Sequence, residues 1–289
     1  MSCLVDSRPN RPVRPPCCLK PDIFQRVNSS GVSLRDIGPT DKYRNAAVTS
    51  FYDLVSATLR SFYDRRIATP PILDCDRYFP DHVVFTDNWP GIREECMRLM
   101  RDMGAIPYFH DVMPEQRPLS EYGDKYWRLF ILKAYGVNHP ANQAKCPFTA
   151  SLLKRKSIHS VAISFLEGKK HIPAHRGPFR GVLRYHLGLV IPRNADGSST
   201  NRLRIDGVLH ELNEGKELLW DDTNVHEAWN DSESVRAVLL VDVARRDMPS
   251  SLSLLNNLII FLLRLWIRIR YLKEWRLPAN SVTRQQPAD

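Results

Sequence analysis

The spacing of apolar residues in the first half of the chain predicts helices. Between 41 and 66, apolar residues recur at steps of three and four, which is typical of an amphipathic helix; they are Val48, Phe51, Tyr52, Val55, Leu59 and Phe62. A second helix is expected after the turn DNWPG, ending at Gly104. Its apolar face would contain Ile92, Cys96, Leu99, Met100 and Met103. The run CPFTASLLKRK (146–156) predicts a short helix with Pro147 in its first turn.

The second half of the chain shows short apolar runs separated by polar turns. YWRLFILKAYG (126–136) is expected to form a buried strand. Beyond residue 158, the strand-like runs are SVAISFL, GVLRYHLGLVIP, LRIDGVLHEL, KELLWDD and RAVLLVDVA. The segments EGKKHIP, RNADGSST and NDSES separate several of them as turns. Short strands with this spacing predict an all-β sandwich or barrel. We therefore expect helices over about 36–156 to lie against a β core over about 125–248.

The two ends of the chain differ in composition from this central domain, expected over 36–250. Residues 1–35 are rich in basic residues and Pro and predict a flexible arm, and 276–289 predict a flexible end. Between them, 251–275 predicts an amphipathic helical tail. Its charge-free apolar run, 258–263, is shorter than the roughly 20 residues that a bilayer span requires. Two interpretations remain open, a helix packed on the core and a helix resting on an anionic membrane.

The net charge of +9 is concentrated at the ends of the chain. Residues 1–26 carry +3 and residues 251–289 carry +4, which leaves +2 for the centre. A central groove for nucleic acid is therefore not expected. The six cysteines include no C-x-x-C pair, which argues against a zinc site or a disulfide framework. The start of the chain lacks an apolar run of signal-peptide length, so we expect a cytoplasmic protein.

Candidate chemistry begins on the strand expected over 182–190. Side chains alternate along a strand, so Arg184 and His186 lie on one face and apolar residues on the other. A guanidinium beside an imidazole in a pocket suits a carboxylate ligand, although such a face can also be exposed. His175 precedes this strand, His226 follows another, and Arg236 begins a third. Two histidines and two arginines in this order are typical of an Fe(II) site that binds a dicarboxylate inside a jelly roll.

A set of longer motifs specifies the resemblance. The segment from about 80 to 248 resembles the aspartyl/asparaginyl β-hydroxylase family of Fe(II)/2-oxoglutarate dioxygenases, and it is also similar to the family's lipid A acyl-chain hydroxylase branch. The matching pieces are DNWPGIREE, YGVNHPANQAKCPFT, SFLEGKKHIPAHRGP, LRYHLGLVIP, DDTNVHEAW and RAVLLVDV. The resemblance implies a mainly β fold, with a double-stranded β-helix (jelly-roll, cupin-like) core, N-terminal helices and a C-terminal helical tail.

The resemblance also implies roles for individual residues. His175 and His226 match the two iron ligands. Many enzymes with this chemistry add a carboxylate ligand, but this family lacks it, so Gly177 two positions after His175 is expected. Asp222 matches an acidic residue near the metal, with a role in orienting iron-bound water. The remaining implied cofactors are 2-oxoglutarate, as co-substrate, and O2.

The co-substrate is expected to contact four further positions. Arg184 and His186 match residues at the C1-carboxylate end of 2-oxoglutarate. Arg236 matches the residue that binds its C5 carboxylate, with Ser164 assisting there. His171 matches no ligand and is expected in a loop.

The motifs indicate the reaction, hydroxylation of an unactivated C–H bond, but not the substrate. The sequence favours the β-carbon of an Asp or Asn residue or a related amino acid, because the motifs read closer to the peptide branch and no N-terminal membrane anchor is apparent. The alternative is a lipid acyl chain at the membrane surface, which the basic, apolar tail favours. A non-catalytic relative that only binds is the third reading, and the presence of every site residue disfavours it. The expected partners are a peptide, amino-acid or acyl-lipid substrate, with peripheral contact between 251–276 and an anionic membrane.

Overall fold

The helices of the protein lie mainly before and after its strands. The structure, a computed structural model, describes residues 51–274. The α-helices are α1 (Phe51–Asp64), α2 (Cys75–Tyr78), α3 (Val83–Asp87), α4 (Trp89–Leu99), α5 (Phe109–Val112), α6 (Arg117–Ser120), α7 (Pro140–Lys145), α8 (Pro147–Ser151) and α9 (Ser250–Glu274). Short 3-10 helices cover Pro80–His82, Met100–Ala105, Pro114–Gln116 and Leu152–Lys154.

The strands form two antiparallel sheets. They are β1 (Ile72–Leu73), β2 (Trp127–Ala134), β3 (Val137–Asn138), β4 (Ile158–Leu166), β5 (His171–His175), β6 (Val182–Val190), β7 (Asn201–Ile205), β8 (Val208–Glu211), β9 (Glu217–Trp220), β10 (His226–Asn230) and β11 (Arg236–Ala244). The major sheet has the order β1-β9-β6-β11-β4-β2-β3, and the minor sheet has the order β5-β10-β7-β8. Apart from β2–β3 and β7–β8, neighbouring strands are not consecutive along the chain, an arrangement that is typical of a two-sheet jelly roll. The expected mainly β fold is confirmed.

The two faces of the major sheet have different coverings. The outer face carries Tyr185 and Leu187 of β6 with Leu239 and Val241 of β11, and these pack with Ile92 and Cys96 of α4. The inner face faces the minor sheet, and apolar residues from both sheets form a second cluster there. Its members include Trp127, Leu129, Ala162, Ile172, Leu203, Trp220 and Ala228. The inner layer therefore combines an apolar interior with the polar residues of β6 and β11.

The predicted helices are present with different bounds. Of the helix expected over 41–66, the structure describes Phe51–Asp64, and residues 41–50 lie outside the described part. The second helix ends at Leu99, and a 3-10 segment with a kink at Asp102 continues to Ala105. The arm over 1–35 and the end over 276–289 also lie outside the described residues.

Two strand predictions require correction. The run LRIDGVLHEL is a hairpin of β7 and β8, because Asp206 and Gly207 both have positive φ, which is the backbone of a two-residue hairpin turn. His171, expected in a loop, begins β5 and pairs with Trp229 of β10. The strand was hidden because it contains Pro173 and follows two lysines, a composition that disfavours strands locally.

The helical tail is present as α9, and one of its faces packs on the protein. Leu252 and Ile260 are buried together with Tyr63 of α1 and Phe179. Asn256, also buried, accepts a hydrogen bond from Tyr63 Oη and donates one to Gly181 O. By length and composition, Ser250–Arg270 is apolar enough to cross a membrane, a criterion that core helices of soluble proteins also meet. The sequence expectation considered only the charge-free run 258–263, whereas this criterion considers the whole helix, so the expectation that the tail does not span a membrane stays a prediction.

Candidate active site

Two histidines face each other in the minor sheet. His175 at the end of β5 pairs with His226 at the start of β10, and their ring centroids are 4.0 Å apart. Opposite residues of an antiparallel pair project from the same face. The cross-strand register therefore brings together two residues that are 51 positions apart in sequence.

Hydrogen bonds set the same tautomer in both rings. The Nδ1 atom of His175 lies 2.8 Å from Pro173 O, and that of His226 lies 2.9 Å from Asn224 O. A carbonyl oxygen only accepts, so each Nδ1 carries the proton and each Nε2 has a lone pair for a metal. Burial lowers the pKa of His175 to about 4 and that of His226 well below its ordinary value. Both imidazoles are therefore neutral near pH 7, the form that binds metals.

Asp222 is almost fully buried, and its carboxylate lies against Gly177, two residues after His175. Gly177 N donates to Asp222 O at 2.7 Å, which joins the segment after β5 to the segment after β9. Burial raises the pKa of the Asp222 carboxyl to about 6, although the charge of Arg184 lowers it. The Asp222 carboxyl comes from a different strand end than residue 177, and its expected role near a metal stays a prediction.

Arg184 is held by two carboxylates. Its Nη1 lies 3.1 Å from Asp222 Oδ2, and its Nε and Nη2 donate to Asp242 Oδ1 at 3.1 and 2.9 Å. Asp242 pairs with Arg184 across β11 and β6, so this contact follows from the register. In this arrangement Arg184 positions Asp222, and its expected contact with a co-substrate carboxylate stays a prediction.

His186 and Arg236 carry buried nitrogen atoms that have no hydrogen-bond partner among the described residues. They are His186 Nε2 and Arg236 Nε. Arg236 is 4% exposed, and burial lowers its pKa to about 10. His186 pairs with Leu240 of β11, and Arg236 lies four residues before Leu240, so both project from the inner face. A buried polar atom without a partner costs about 1–3 kcal/mol, so a ligand or an ordered water molecule is expected to complete the hydrogen bonding of both atoms.

Ser164 lies on the same face, on β4 opposite Val238. Its Oγ accepts a hydrogen bond from Trp127 Nε1 at 3.0 Å, and both side chains are buried. The Ser164 hydroxyl keeps its own proton for a further acceptor. The structure therefore places Ser164, His186 and Arg236 on one surface of the major sheet.

Trp220 connects the two groups and was not predicted from the sequence. Its ring lies 4.5 Å from the ring of His226 and 5.6 Å from that of His186, by centroids. Its Nε1 is buried without a partner among the described residues. The one available signal was its position at the end of KELLWDD, two residues before Asp222. The histidine pair and the unpartnered nitrogen atoms therefore border the same space between the sheets.

A second polar cluster lies on the other side of the major sheet. The ligand atoms of Cys75, His82 and Glu217 lie within 4.8 Å of one another. His82 contacts carboxylates at both nitrogen atoms, Asp76 at 2.9 Å and Glu217 at 3.0 Å, and Tyr185 Oη donates to Glu217 at 2.7 Å. The hydrogen bond between His82 and Glu217 raises the pKa of His82. The cluster is best described as a buried ion pair, separate from the predicted metal site.

Comparison with known proteins identifies the family. Residues 86–246 match the family described as "Aspartyl/Asparaginyl beta-hydroxylase". The chain is 34% identical over 212 residues to the ornithine lipid ester-linked acyl 2-hydroxylase of Rhizobium tropici, which covers 72% of this chain and 73% of that protein. The chain therefore belongs to the aspartyl/asparaginyl β-hydroxylase family, and the resemblance expected from the motifs is confirmed.

Other relatives cover less of the chain. The aspartyl/asparaginyl beta-hydroxylase of Mus musculus is 32% identical over 177 residues, 56% of this chain and 22% of that protein. The chain thus spans about a fifth of that relative's length. Among solved structures, a Pseudomonas putida prolyl-4-hydroxylase has a TM-score of 0.34 at 13% identity and covers 55% of this chain and 88% of that one.

Proposed function

We propose that the protein is an Fe(II)- and 2-oxoglutarate-dependent hydroxylase that acts on an acyl chain of a membrane lipid. The observation that carries the proposal is the shared space between the sheets. Two neutral imidazoles present metal-binding nitrogen atoms on one side of it, and buried nitrogen atoms without partners lie on the other. A hydroxylase family is established by the comparisons, and the iron, the co-substrate and the lipid are the proposed part.

The donor set fits a divalent iron. His175 and His226 would hold it through Nε2, and imidazole nitrogen is a suitable ligand for iron. The carboxylate of Asp222, which lies against Gly177 and is bound by Arg184, would accept hydrogen bonds from water at the metal. When bound, iron together with 2-oxoglutarate and O2 supplies the oxidising power that hydroxylates an unactivated C–H bond.

The unpartnered groups fit a dicarboxylate. Arg236 is buried and forms no salt bridge with any residue between 51 and 274. A buried cation without a counter-charge is strongly unfavourable, so an anionic ligand is expected to pair with the Arg236 guanidinium. Ser164 and His186 border the same surface, and a hydroxyl and an imidazole N–H are donors for carboxylate oxygen atoms. These residues would bind and orient the co-substrate.

The exposed face of α9 supports a lipid substrate. Opposite the packed face, seven large apolar side chains are 46–75% exposed: Leu254, Leu258, Phe261, Leu262, Leu265, Trp266 and Ile269. A contiguous apolar face of this kind marks an interaction surface. No acidic residue occurs between Ser250 and Lys273, and helical spacing places Arg268 and Arg270 on either edge of the apolar face. An apolar face with basic edges is typical of a helix that rests on an anionic membrane.

The relatives support two substrate classes. The relative from Rhizobium tropici, which matches over 73% of its own length, is by its name an acyl hydroxylase of a lipid. Together with α9, this favours the acyl chain over the β-carbon of Asp or Asn, which the sequence motifs favoured. The Asp or Asn residue remains the second candidate because other relatives bear that name. We also propose a peripheral location on the membrane through α9.

Turnover assays test the proposal. The purified protein would be loaded with Fe(II) without oxygen and then given 2-oxoglutarate, O2 and either membrane lipid extract or Asp-containing peptides. We expect succinate formation coupled to the gain of one oxygen atom on a lipid acyl chain, measured by mass spectrometry with fragmentation. Oxygen gained only on peptides would replace the acyl proposal by the second candidate. Substrate-coupled turnover that persists without added 2-oxoglutarate would contradict the proposed chemistry itself.

A further inference from the structure

A cavity lined by arginines opens beside the segment that follows His175. It is a solvent-open pocket at the surface between α1 and that segment, with a volume of about 310 Å³. Its lining residues are Ala57, Arg60, Ser61, Asp64, Arg65 and Arg176. We call this the arginine cavity. Its α1 residues precede the family-matched segment 86–246, so it involves a part of the chain outside the shared domain.

The charges around the arginine cavity are unbalanced. Three arginines line it against one carboxylate, that of Asp64. Asp64 is also shared with Arg180, whose guanidinium donates to it at 2.5 Å, while Arg176 Nη2 lies 3.6 Å from it. Burial and the neighbouring charge of Arg176 lower the pKa of Arg60. The cavity therefore has an excess of positive charge that an anion would reduce.

The arginine cavity is connected to the candidate metal site through backbone contacts. Arg60 Nη1 donates to Gly177 O at 3.1 Å. Arg176 directly follows His175 in sequence and donates from Nε to Thr223 O, in the segment that leads to His226. Two residues that would contact an anion in the cavity therefore also contact the segments that carry the two predicted iron ligands.

The same helix connects the arginine cavity to α9. Tyr63 of α1 is hydrogen-bonded to Asn256 of α9 at 3.0 Å, and Asp64, the next residue, lines the cavity. One side of α1 thus faces the helix with the exposed apolar surface, and the adjacent side faces the candidate site. A lipid whose acyl chains lie at the membrane surface carries its polar group at their end. A site for that polar group is expected between the membrane helix and the metal.

We infer that the arginine cavity binds the anionic headgroup of the acyl-lipid substrate. Guanidinium groups bind phosphate and carboxylate oxygen atoms through paired, charge-assisted hydrogen bonds, and an arrangement of several arginines favours them over neutral groups. The inference rests on the proposed acyl-lipid function and adds a preference for negatively charged lipids. It predicts that headgroup charge affects binding independently of the membrane surface.

Binding of soluble probes to the full-length, iron-loaded protein without oxygen tests the inference. The probes are a short-chain phosphatidylglycerol kept below its critical micelle concentration, the phosphatidylcholine with the same chains, and inorganic phosphate. Calorimetry should show the tightest binding for phosphatidylglycerol. Loss of one charge-assisted contact should weaken it by roughly tenfold or more in Arg60→Gln and in Arg65→Gln.

Arg66→Gln is the matched control. Arg66 is on the same helix and carries the same charge, but its guanidinium lies over the Phe62 ring and it does not line the arginine cavity. This variant should bind phosphatidylglycerol like the unmodified protein. Thermal unfolding checks that each variant is folded, and Arg65→Gln tests the cavity without removing the contact between Arg60 and Gly177.

Several results would overturn the inference. An equal loss of affinity in Arg66→Gln would show general attraction to a basic helix. Equal affinity for the two phospholipids would exclude charge recognition, and phosphate binding as tight as phosphatidylglycerol would indicate a site for free anions. Because binding needs no turnover, the two proposals fail separately. Acyl hydroxylation with full phosphatidylglycerol affinity in Arg60→Gln refutes the cavity alone, whereas turnover of peptides only refutes the acyl function.

Discussion

The carboxylate of Asp222 occupies the space that a side chain on residue 177 would need. An ideal Cβ placed on Gly177 would lie 2.4 Å from Asp222 Cγ, a distance that real Cβ atoms do not show. Asp222 cannot move freely, because Arg184 binds its carboxylate and neighbouring residues bury it almost completely. Gly177 therefore allows a carboxylate from another strand end to approach the histidine pair.

We expect Gly177→Ala to destabilise the protein by about 1–3 kcal/mol, the usual cost of overpacking a buried site. Displacement of Asp222 should also weaken iron binding. Chemical denaturation and iron titration measure the two effects. Gly104→Ala is the control, because a Cβ there meets nothing within 4 Å. An alanine at 177 with unchanged stability and iron affinity would contradict the assigned contact.

His175→Ala and His226→Ala should each abolish iron retention and turnover, since two imidazoles would be the only protein ligands. Metal content after anaerobic loading and buffer exchange measures the first effect. The matched control is His171→Ala on the same strand, which removes a histidine that stacks on Trp229 and contacts Glu227 instead. Full iron retention in either ligand variant would place the metal elsewhere.

Arg236→Ala should weaken 2-oxoglutarate binding by roughly 30-fold or more, because a buried bidentate contact to a carboxylate contributes about 2–4 kcal/mol. The affinity for Fe(II) should change much less. The Michaelis constant for 2-oxoglutarate and a direct iron titration separate the two. Arg236→Lys keeps the charge without the paired donors and should give an intermediate value. A Michaelis constant unchanged in Arg236→Ala would exclude the proposed orientation of the co-substrate.

The double variant Phe261→Ser/Trp266→Ser should lose binding to anionic vesicles while keeping its stability, because both side chains are more than half exposed. Vesicle sedimentation at rising salt should also show weaker binding of the unmodified protein, since charges are screened beyond about 10 Å at 0.1 M. Ile260→Ser provides the contrast. Ile260 is buried, so this change should lower the melting temperature. Vesicle binding that survives the double variant would assign the exposed face of α9 to another partner.

His82 should make the free energy of unfolding depend on pH. Its hydrogen bond to Glu217 raises its pKa in the folded protein above the ordinary value of 6.5. The folded state therefore binds the proton more tightly than the unfolded state, and the contribution is complete below about pH 6.5 and lost as pH rises through the raised pKa. The difference between the unmodified protein and His82→Gln, measured by denaturation from pH 5 to 9, should shrink over that range. A difference that grows with pH would contradict the assigned charge.

Local patterns predicted five strands of the major sheet, β2, β4, β6, β9 and β11, but not the two-residue strands β1 and β3. Arg184, His186 and Arg236 lie where alternation places them, because side-chain direction along a strand is a local property. The contacts between strands were harder to predict from the sequence. The Arg184–Asp242 pair joins residues 58 positions apart, and its existence depends on the register of β6 and β11. The motif indicated an arginine at a co-substrate carboxylate, and the register adds its pairing with Asp242.

Nonlocal packing also explains what was missed. Trp127 and Trp220 belong to strands that read as ordinary apolar runs. The pairing of β2 with β4 brings Trp127 to Ser164, and the packing of the two sheets brings Trp220 to His226. The arginine cavity could not be foreseen either, because α1 and the segment after β5 are 117 positions apart at the contact between Arg60 and Gly177. Tertiary structure builds such sites from segments that are far apart in sequence.

The anchoring of α9 has a consequence for regioselectivity. Asn256 binds both Tyr63 and Gly181, so the helix cannot roll about its axis without breaking two buried hydrogen bonds. A helix fixed in this way on a membrane would also fix the height of the histidine pair above the lipid plane. The distance from α9 to His175 and His226 would then decide which carbon of the acyl chain is oxidised. The relative reactivity of the C–H bonds along the acyl chain would not. Acyl chains of different length should then be hydroxylated at the same distance from the lipid headgroup.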